Sequence, residues 1–290
     1  MAQQQISTIT NGVLTVGISS TGATVKSVRD ASGEEFIWQA DPAFWAGSAP
    51  LLFPICGGLN NDTYRYNGAE YKLGRHGYIR FREFEIFEQK DDEIVYLSRS
   101  DEETLACYPF EYELYVRFKL NGNKLTTTYS VVNKNDREMY FSIGGHEGYA
   151  LSYPLSDYTL EFDSHENAPV YSDIFTPIDE KSVSYTESGA LSLNFSTEQF
   201  ATGSVLFHPL NAKIITMRNC HDTKSVTVDL GESEYLVLWT IPGAPFLCIE
   251  PWRGNSDRAD FTGEISEKEG IVKLDACATF DFSHTITFNN

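Results

Sequence analysis

FEYELYVRFKL, residues 110–120, decides the fold class of this chain. Phe110, Tyr112, Leu114, Val116, Phe118 and Leu120 alternate with Glu111, Glu113, Tyr115, Arg117 and Lys119. Successive side chains of an extended strand point to opposite faces, so a period of two gives this stretch one face for a core and one for water. Asn121-Gly122-Asn123 follows, a run suited to chain reversal, and residues 125–132 are the expected antiparallel partner.

Outward from this pair the same alternation recurs. Residues 13–18 and 23–29 form an expected pair around Thr21-Gly22, 35–39 follows Ser32-Gly33, and 81–87 and 94–98 bracket the polar turn QKDDE. Residues 64–66 and 70–73 flank Asn67-Gly68, the dipeptide that most readily supplies positive φ at a hairpin turn. Later strands are expected at 140–143, 158–162, 204–208, 213–218, 225–230, 235–240, 246–250, 271–274 and 279–288, and helical periodicity is confined to short turns such as 101–106. Amphipathic strands in this number bury their apolar faces as an all-β fold, a large antiparallel β-sandwich. No Pro/Ser-rich linker, charge block or internal repeat divides the 290 residues, so one domain over 1–290 is expected.

With 41% hydrophobic and 13% aromatic residues the chain has ample material for a core. Its formal charge of -19 argues against a nucleic-acid partner, because phosphate binding relies on Lys and Arg to release counterions. The partner suggested instead is small or uncharged. The start MAQQQISTITNG lacks the basic and apolar regions of a signal peptide, and no apolar run reaches the length of a membrane span. A cytoplasmic protein without a membrane partner is expected. Cys56, Cys107, Cys220, Cys248 and Cys277 are odd in number and show no C-x-x-C spacing, which suggests reduced thiols, with neither a disulfide framework nor a zinc site.

Three stretches carry candidate chemistry. In PFLCIEPWRGNSD, residues 245–257, Glu250 closes an apolar run and is followed at once by Pro251, Trp252 and Arg253, so the strand is expected to end there, in a cleft. A buried carboxylate is costly without partners, and a core salt bridge, for instance to Arg253, is the competing reading. His146 follows Gly144 and Gly145 after the apolar 140–143 run, a place suited to a rigidly held imidazole or to a structural histidine. His76 sits in GRHGYIR, beside a glycine that would let a ligand approach, or is a surface histidine of a basic loop. Trp239, Trp252, Tyr78 and Tyr149 are aromatics near these stretches, with faces able to stack on a sugar ring or to pack in a core. His165, His208, His221 and His284 lack such surroundings and read as surface or structural groups. No H-E-x-x-H, G-x-S-x-G, P-loop or Rossmann glycine pattern occurs, so no metal is expected.

Taken together, N-G-x-x-Y-x-L-x-x-H-G-Y-x-R from Asn67 to Arg80, G-G-H at 144–146 and F-L-C-I-E-P-W-x-G from Phe246 to Gly254 resemble the aldose 1-epimerases, or galactose mutarotases, and within them the LacX-like branch. The order and spacing of these stretches, with the closing 270–288 tail, extend the resemblance over nearly the whole chain. It implies a β-supersandwich and an isomerase that interconverts the α and β anomers of a hexose such as galactose or glucose, with no cofactor. By resemblance Glu250 is the catalytic base, His146 the acid and His76 the histidine that binds and polarises the sugar.

The chain departs from the family pattern twice. Where many mutarotases have an arginine, it reads Cys56-Gly57-Gly58-Leu59-Asn60-Asn61, which directs attention to Arg75 or Arg80 as a substitute and to Asn61 as a contact for hydroxyls; Trp252 is a separate candidate, for ligand contact or for support. Where the family often has a substrate-binding aspartate, it reads Phe200-Ala201-Thr202-Gly203-Ser204. Two alternatives stand beside the mutarotase: a hexose-6-phosphate 1-epimerase using Arg75, Arg80 and Arg82, and a non-catalytic sugar-binding or sensor protein on the same scaffold.

Overall fold

The computed structural model describes residues 5–166, 170–171, 183–185, 191–194, 200–201 and 203–290. The opening stretch is an interior strand of the larger sheet, third from one edge. Tyr112–Asn121 pairs with Lys124–Asn133 on one side and Glu93–Arg99 on the other, and Tyr112, Leu114, Val116, Phe118 and Leu120 are all buried. Each fully buried apolar side chain of this size contributes about 1.5–3 kcal/mol, so the alternation itself selects which face turns inward.

Among the described residues this sheet has ten strands, all antiparallel to their neighbours, running Val183–Tyr185, Leu191–Asn194, Tyr158–Phe162, Ile214–Asn219, Ser225–Asp229, Thr279–Asn289, Lys124–Asn133, Tyr112–Asn121, Glu93–Arg99 and Glu85–Gln89. A smaller antiparallel sheet runs from the two short strands Ile143–Gly144 and Glu147–Ala150 through Phe246–Arg253, Tyr235–Trp239 and Val205–Phe207 to Val170–Tyr171. One apolar cluster joins Phe282, Ile286 and Val116 of the large sheet to Leu236, Leu238, Leu247 and Ile249 of the small one. The antiparallel sandwich read from the sequence is therefore the fold. No described helix is long and apolar enough to cross a membrane.

Local expectations held where turn chemistry was explicit. Asn67 and Gly68 take φ of 50° and 77° between Thr63–Tyr66 and Ala69–Lys72. The short turn at 101–106 is the helix Glu102–Cys107, capped by Asp101, whose carboxylate accepts the Thr104 N–H at 2.9 Å.

Three expectations were corrected. Residues 35–39 make only isolated bridges, because the Glu35 carboxylate accepts the N–H groups of Val28 (2.8 Å) and Ile37 (3.0 Å) that a neighbouring strand would have used. Residues 81–87 are divided: Ile79–Phe81 is a tight 3-10 turn, Glu83 makes only an isolated bridge with Thr21, and strand pairing begins at Glu85–Gln89. The strand expected to stop at Glu250 runs on to Arg253. Pro251 brings no N–H to the ladder, yet it costs none here, because the facing segment is itself interrupted at Gly145-His146, between the two short strands. Sequence patterning did not register Ile6–Thr10 or Glu147–Ala150, and the second of these begins directly after His146.

Candidate active site

Gly144 lies opposite Trp252, and Glu147 opposite Ile249. The same register carries His146 to the position opposite Glu250, and directly opposed residues of paired strands project from one face. His146 Nε2 and Glu250 Oε2 are accordingly 3.4 Å apart. Leu247 and Ile249 point the other way, into the core shared with the large sheet. Alternation thus divides the strand between packing and chemistry, while pairing chooses the partner.

Glu250 is 1% exposed, and its Oε2 has no hydrogen-bond donor. Burial pushes its carboxyl well above the usual carboxylate range, and the nearby Glu147 carboxylate adds to the shift. The His146 imidazole is driven the other way, to about 3, chiefly by burial and with Arg80 and Arg75 adding to it. Its ring stacks on Trp45 with centroids 5.1 Å apart and meets Trp239 edge-on at 5.6 Å. Desolvation therefore favours a neutral pair, a carboxyl beside an uncharged imidazole, over a carboxylate beside an imidazolium.

His76 reaches the site from the opposite wall, its ring 5.5 Å from that of His146 and 5.7 Å from that of Trp252. Its Nδ1 accepts the Gly57 N–H at 3.1 Å, so the neutral ring carries its proton on Nε2, free to donate. Burial, then His146, keeps it well below the ordinary histidine value. Both His76 and Gly77 take positive φ, 66° and 67°, and a Cβ on Gly77 would stand 2.3 Å from the Phe53 carbonyl oxygen. Only glycine lets the loop press this closely against 53–54, which fixes the direction of His76.

These groups line a cavity of about 330 Å³ with Trp45, Pro50, Arg75, Arg80, Ser204 and Trp239 in its walls. Its size and its mixture of aromatic faces with a few polar groups suit a small hydroxylated ligand. Arg80 donates to the Arg75 carbonyl at 3.0 Å, while its buried Nε has no partner. Trp252 lines the cavity and also donates Nε1–H to the Gly145 carbonyl at 3.1 Å, bracing the turn that bears His146.

Of the residues singled out in the sequence, Glu250, His146, His76, Arg75, Arg80 and Trp252 meet in this cavity, and Asn61 does not. Asn61 lines a second, larger one of about 460 Å³, with Asn60, Tyr64, Arg65 and Phe261, in which Lys268 and Asp257 are already joined at 2.8 Å. Arg82 is held by Asp101 and Glu103 and lies outside the site cavity, and Arg253 is paired with Glu234 at 3.1 Å rather than with Glu250. Trp45, Pro50 and Ser204 were not anticipated. The loop DPAFWAGSAP, with its aromatics among turn formers, was the available signal for Trp45. In the stretch 200–204, Gly203 and Ser204 line the cavity, and Thr202 lies outside the described residues.

A metal fits these side chains poorly. His146, Cys248 and Glu250 bring one donor atom each within 4.8 Å of one another, a spacing compatible with a metal, but the donor chemistry is against it. Cys248 is wholly buried, and that burial pushes its thiol well up and keeps it protonated.

The sequence model of the family described as aldose 1-epimerase matches residues 5–273. Protein LacX of Lactococcus lactis is 30% identical over 297 residues, covering 97% of this chain and 98% of that protein. A galactose mutarotase related enzyme from Lactobacillus acidophilus superposes with a TM-score of 0.90 at 32% identity, over 99% of this chain and 98% of the other. A galactose mutarotase-like protein from Lactobacillus casei also gives 0.90, at 26% identity over 98% and 100%.

Proposed function

The chain belongs to the aldose 1-epimerase family, and from that premise we propose that it is a mutarotase that interconverts the α and β anomers of a free hexose. The observation that carries this reading is the opposition of His146 and Glu250 at 3.4 Å, buried beside a cavity, with a carboxylate oxygen lacking any donor. Ring opening needs a base at the anomeric hydroxyl and an acid at the ring oxygen, and such a pair supplies both.

The working form holds one proton between the two side chains. Moving it from Glu250 to His146 gives carboxylate and imidazolium, and the Trp45 face stacked on the imidazole favours the cation. Glu250 then takes the proton of the C1 hydroxyl while His146 protonates the ring oxygen. The C1–ring oxygen bond breaks, C1 becomes a carbonyl, and the side chains return to their neutral state. Rotation about C1–C2 and the reverse transfers close the ring on the other face, with no net change in protons. His76 Nε2–H binds a sugar oxygen, Trp239 and Trp252 present apolar faces to the ring, and Arg75 and Arg80 take hydroxyls.

A second reading, a hexose-6-phosphate 1-epimerase, is favoured by Arg75 and Arg80 lining one cavity and by the unpartnered Arg80 Nε. Freshly dissolved α-galactose, α-glucose and glucose 6-phosphate, followed by polarimetry or NMR, decide between the two. Acceleration of the free sugars is expected. Acceleration of the phosphate ester alone selects the second reading, and binding without acceleration removes both and leaves a sugar-binding protein.

A further inference from the structure

The strand pair that brings His146 to Glu250 also carries a second acidic side chain, on its other face. Glu147 opposes Ile249 and points inward with it, toward the large sheet. There it meets His284 of the Thr279–Asn289 strand, with Glu147 Oε1 and His284 Nε2 3.0 Å apart. Their side chains are 6% and 0% exposed, so this is a polar contact sealed between two sheets. A carboxylate only accepts, so Nε2–H donates, and Glu147 Oε2 and His284 Nδ1 are left without partners.

The position of the carboxylate is specific. A Cβ added to Gly145 would lie 2.5 Å from Glu147 Oε2 and 2.9 Å from Oε1, so the carboxylate rests on the backbone of the turn that presents His146. A buried ionic group spanning a core contributes little net stability compared with apolar packing, which gives its placement under this turn another rationale.

We infer that Glu147, held from the opposite sheet by His284, is a positioning residue for the catalytic pair: it fixes the Gly144-Gly145-His146 turn and sets a negative charge across the strand from Glu250. This rests on the reading of His146 and Glu250 as the acid–base pair. A negative charge there makes loss of the proton shared by His146 and Glu250 harder and keeps the working form to higher pH. The direction of the Glu250 shift agrees, with burial its largest cause and Glu147 the next. The other titratable groups around Glu147 are Tyr129, Tyr149, Cys248 and, beside Tyr129, Cys56, and burial pushes all four upward, so they stay neutral through the working range.

The test is the titration of the Glu250 side-chain carboxyl by carbon NMR in wild type and Glu147→Gln, with the pH profile of anomer interconversion measured alongside. Glutamine keeps an oxygen to accept from His284 and removes the charge. The Glu250 midpoint and the alkaline limb of kcat/KM are both expected to fall by about one pH unit, with KM unchanged. An unmoved midpoint overturns the inference, whatever happens to the rate. Should wild type fail to accelerate any sugar, the functional reading falls while the carboxyl titration still decides the role of Glu147. If Glu147→Gln does not fold, Glu147→Gln combined with His284→Gln replaces the pair by two amides and enters the same titration.

Discussion

Two histidine–glutamate pairs lie on opposite faces of the small sheet, one facing the cavity and one facing the large sheet, which supplies His284. His284 and Glu147, at 3.0 Å, are hydrogen-bonded and closed inside the core. His146 and Glu250, at 3.4 Å, make no hydrogen bond with each other and face a cavity. Residue types and burial are nearly the same, so neither identifies the reactive pair. What differs is that the open pair borders space in which a ligand can complete it, and unsatisfied polar groups there become binding energy once a partner arrives. The closed pair has no such space, and its service is to placement and charge.

The comparison breaks most sharply at the open pair. Glu250→Gln and His146→Asn should each lower kcat by about 10²- to 10⁴-fold, measured by polarimetry, with circular dichroism unchanged. Equal rates in wild type and Glu250→Gln would remove the carboxylate from the mechanism.

The closed pair should fail differently. His284→Ala leaves Glu147 buried without its donor and is expected to cost about 3–5 kcal/mol in urea unfolding. A cost near zero would mean that water reaches Glu147, and the contrast between the pairs would dissolve.

The pH dependence sharpens the difference through its sign. Glu250 has a raised folded-state value, so the stability it lends is complete below the unfolded carboxylate value of about 4.3 and is lost as pH rises through the folded one. Glu250→Gln should therefore gain on wild type in melting temperature as pH rises from 4.3. His146, lowered to about 3, has the opposite sense: its contribution is complete above about 6.5 and is lost as pH falls toward 3. For turnover, the one-proton form predicts a rate that holds above the His146 value of about 3 and declines on the alkaline side as Glu250 loses its proton. A steep loss on going from pH 7 to 5 would show that Glu250 must be unprotonated before the sugar binds.

The smallest effect belongs to the wall. Trp45→Ala removes the face stacked on His146 and should raise KM by about 10-fold, equivalent to about 1.4 kcal/mol, with kcat falling less. An unchanged KM would take Trp45 out of the binding surface.

Much of this was legible in the chain because the physics behind it is local. The alternation at 110–120, the Asn67-Gly68 turn and the short helical turn at 101–106 each follow from neighbouring residues, and each is present in the fold. His76, His146 and Glu250 stood out by their glycines and by an apolar run ending in a carboxylate. The misses were matters of long-range pairing. Pro251 reads as the end of a strand until the interrupted segment facing it is known. Asn61 sits only a few residues along the chain from Gly57, which bonds His76, yet lines a different cavity. Trp45 lies in a loop whose destination no local pattern records.

By itself the sequence determined that this chain builds a sandwich of antiparallel strands, because a period of two admits one inward face per strand. It also determined that a carboxylate and two glycine-flanked histidines were available. Which histidine meets which carboxylate was decided only by the register of strands about a hundred residues apart in sequence. A shift of one residue would have turned His146 into the core and Glu147 into the cavity, since neighbouring side chains of a strand leave on opposite faces.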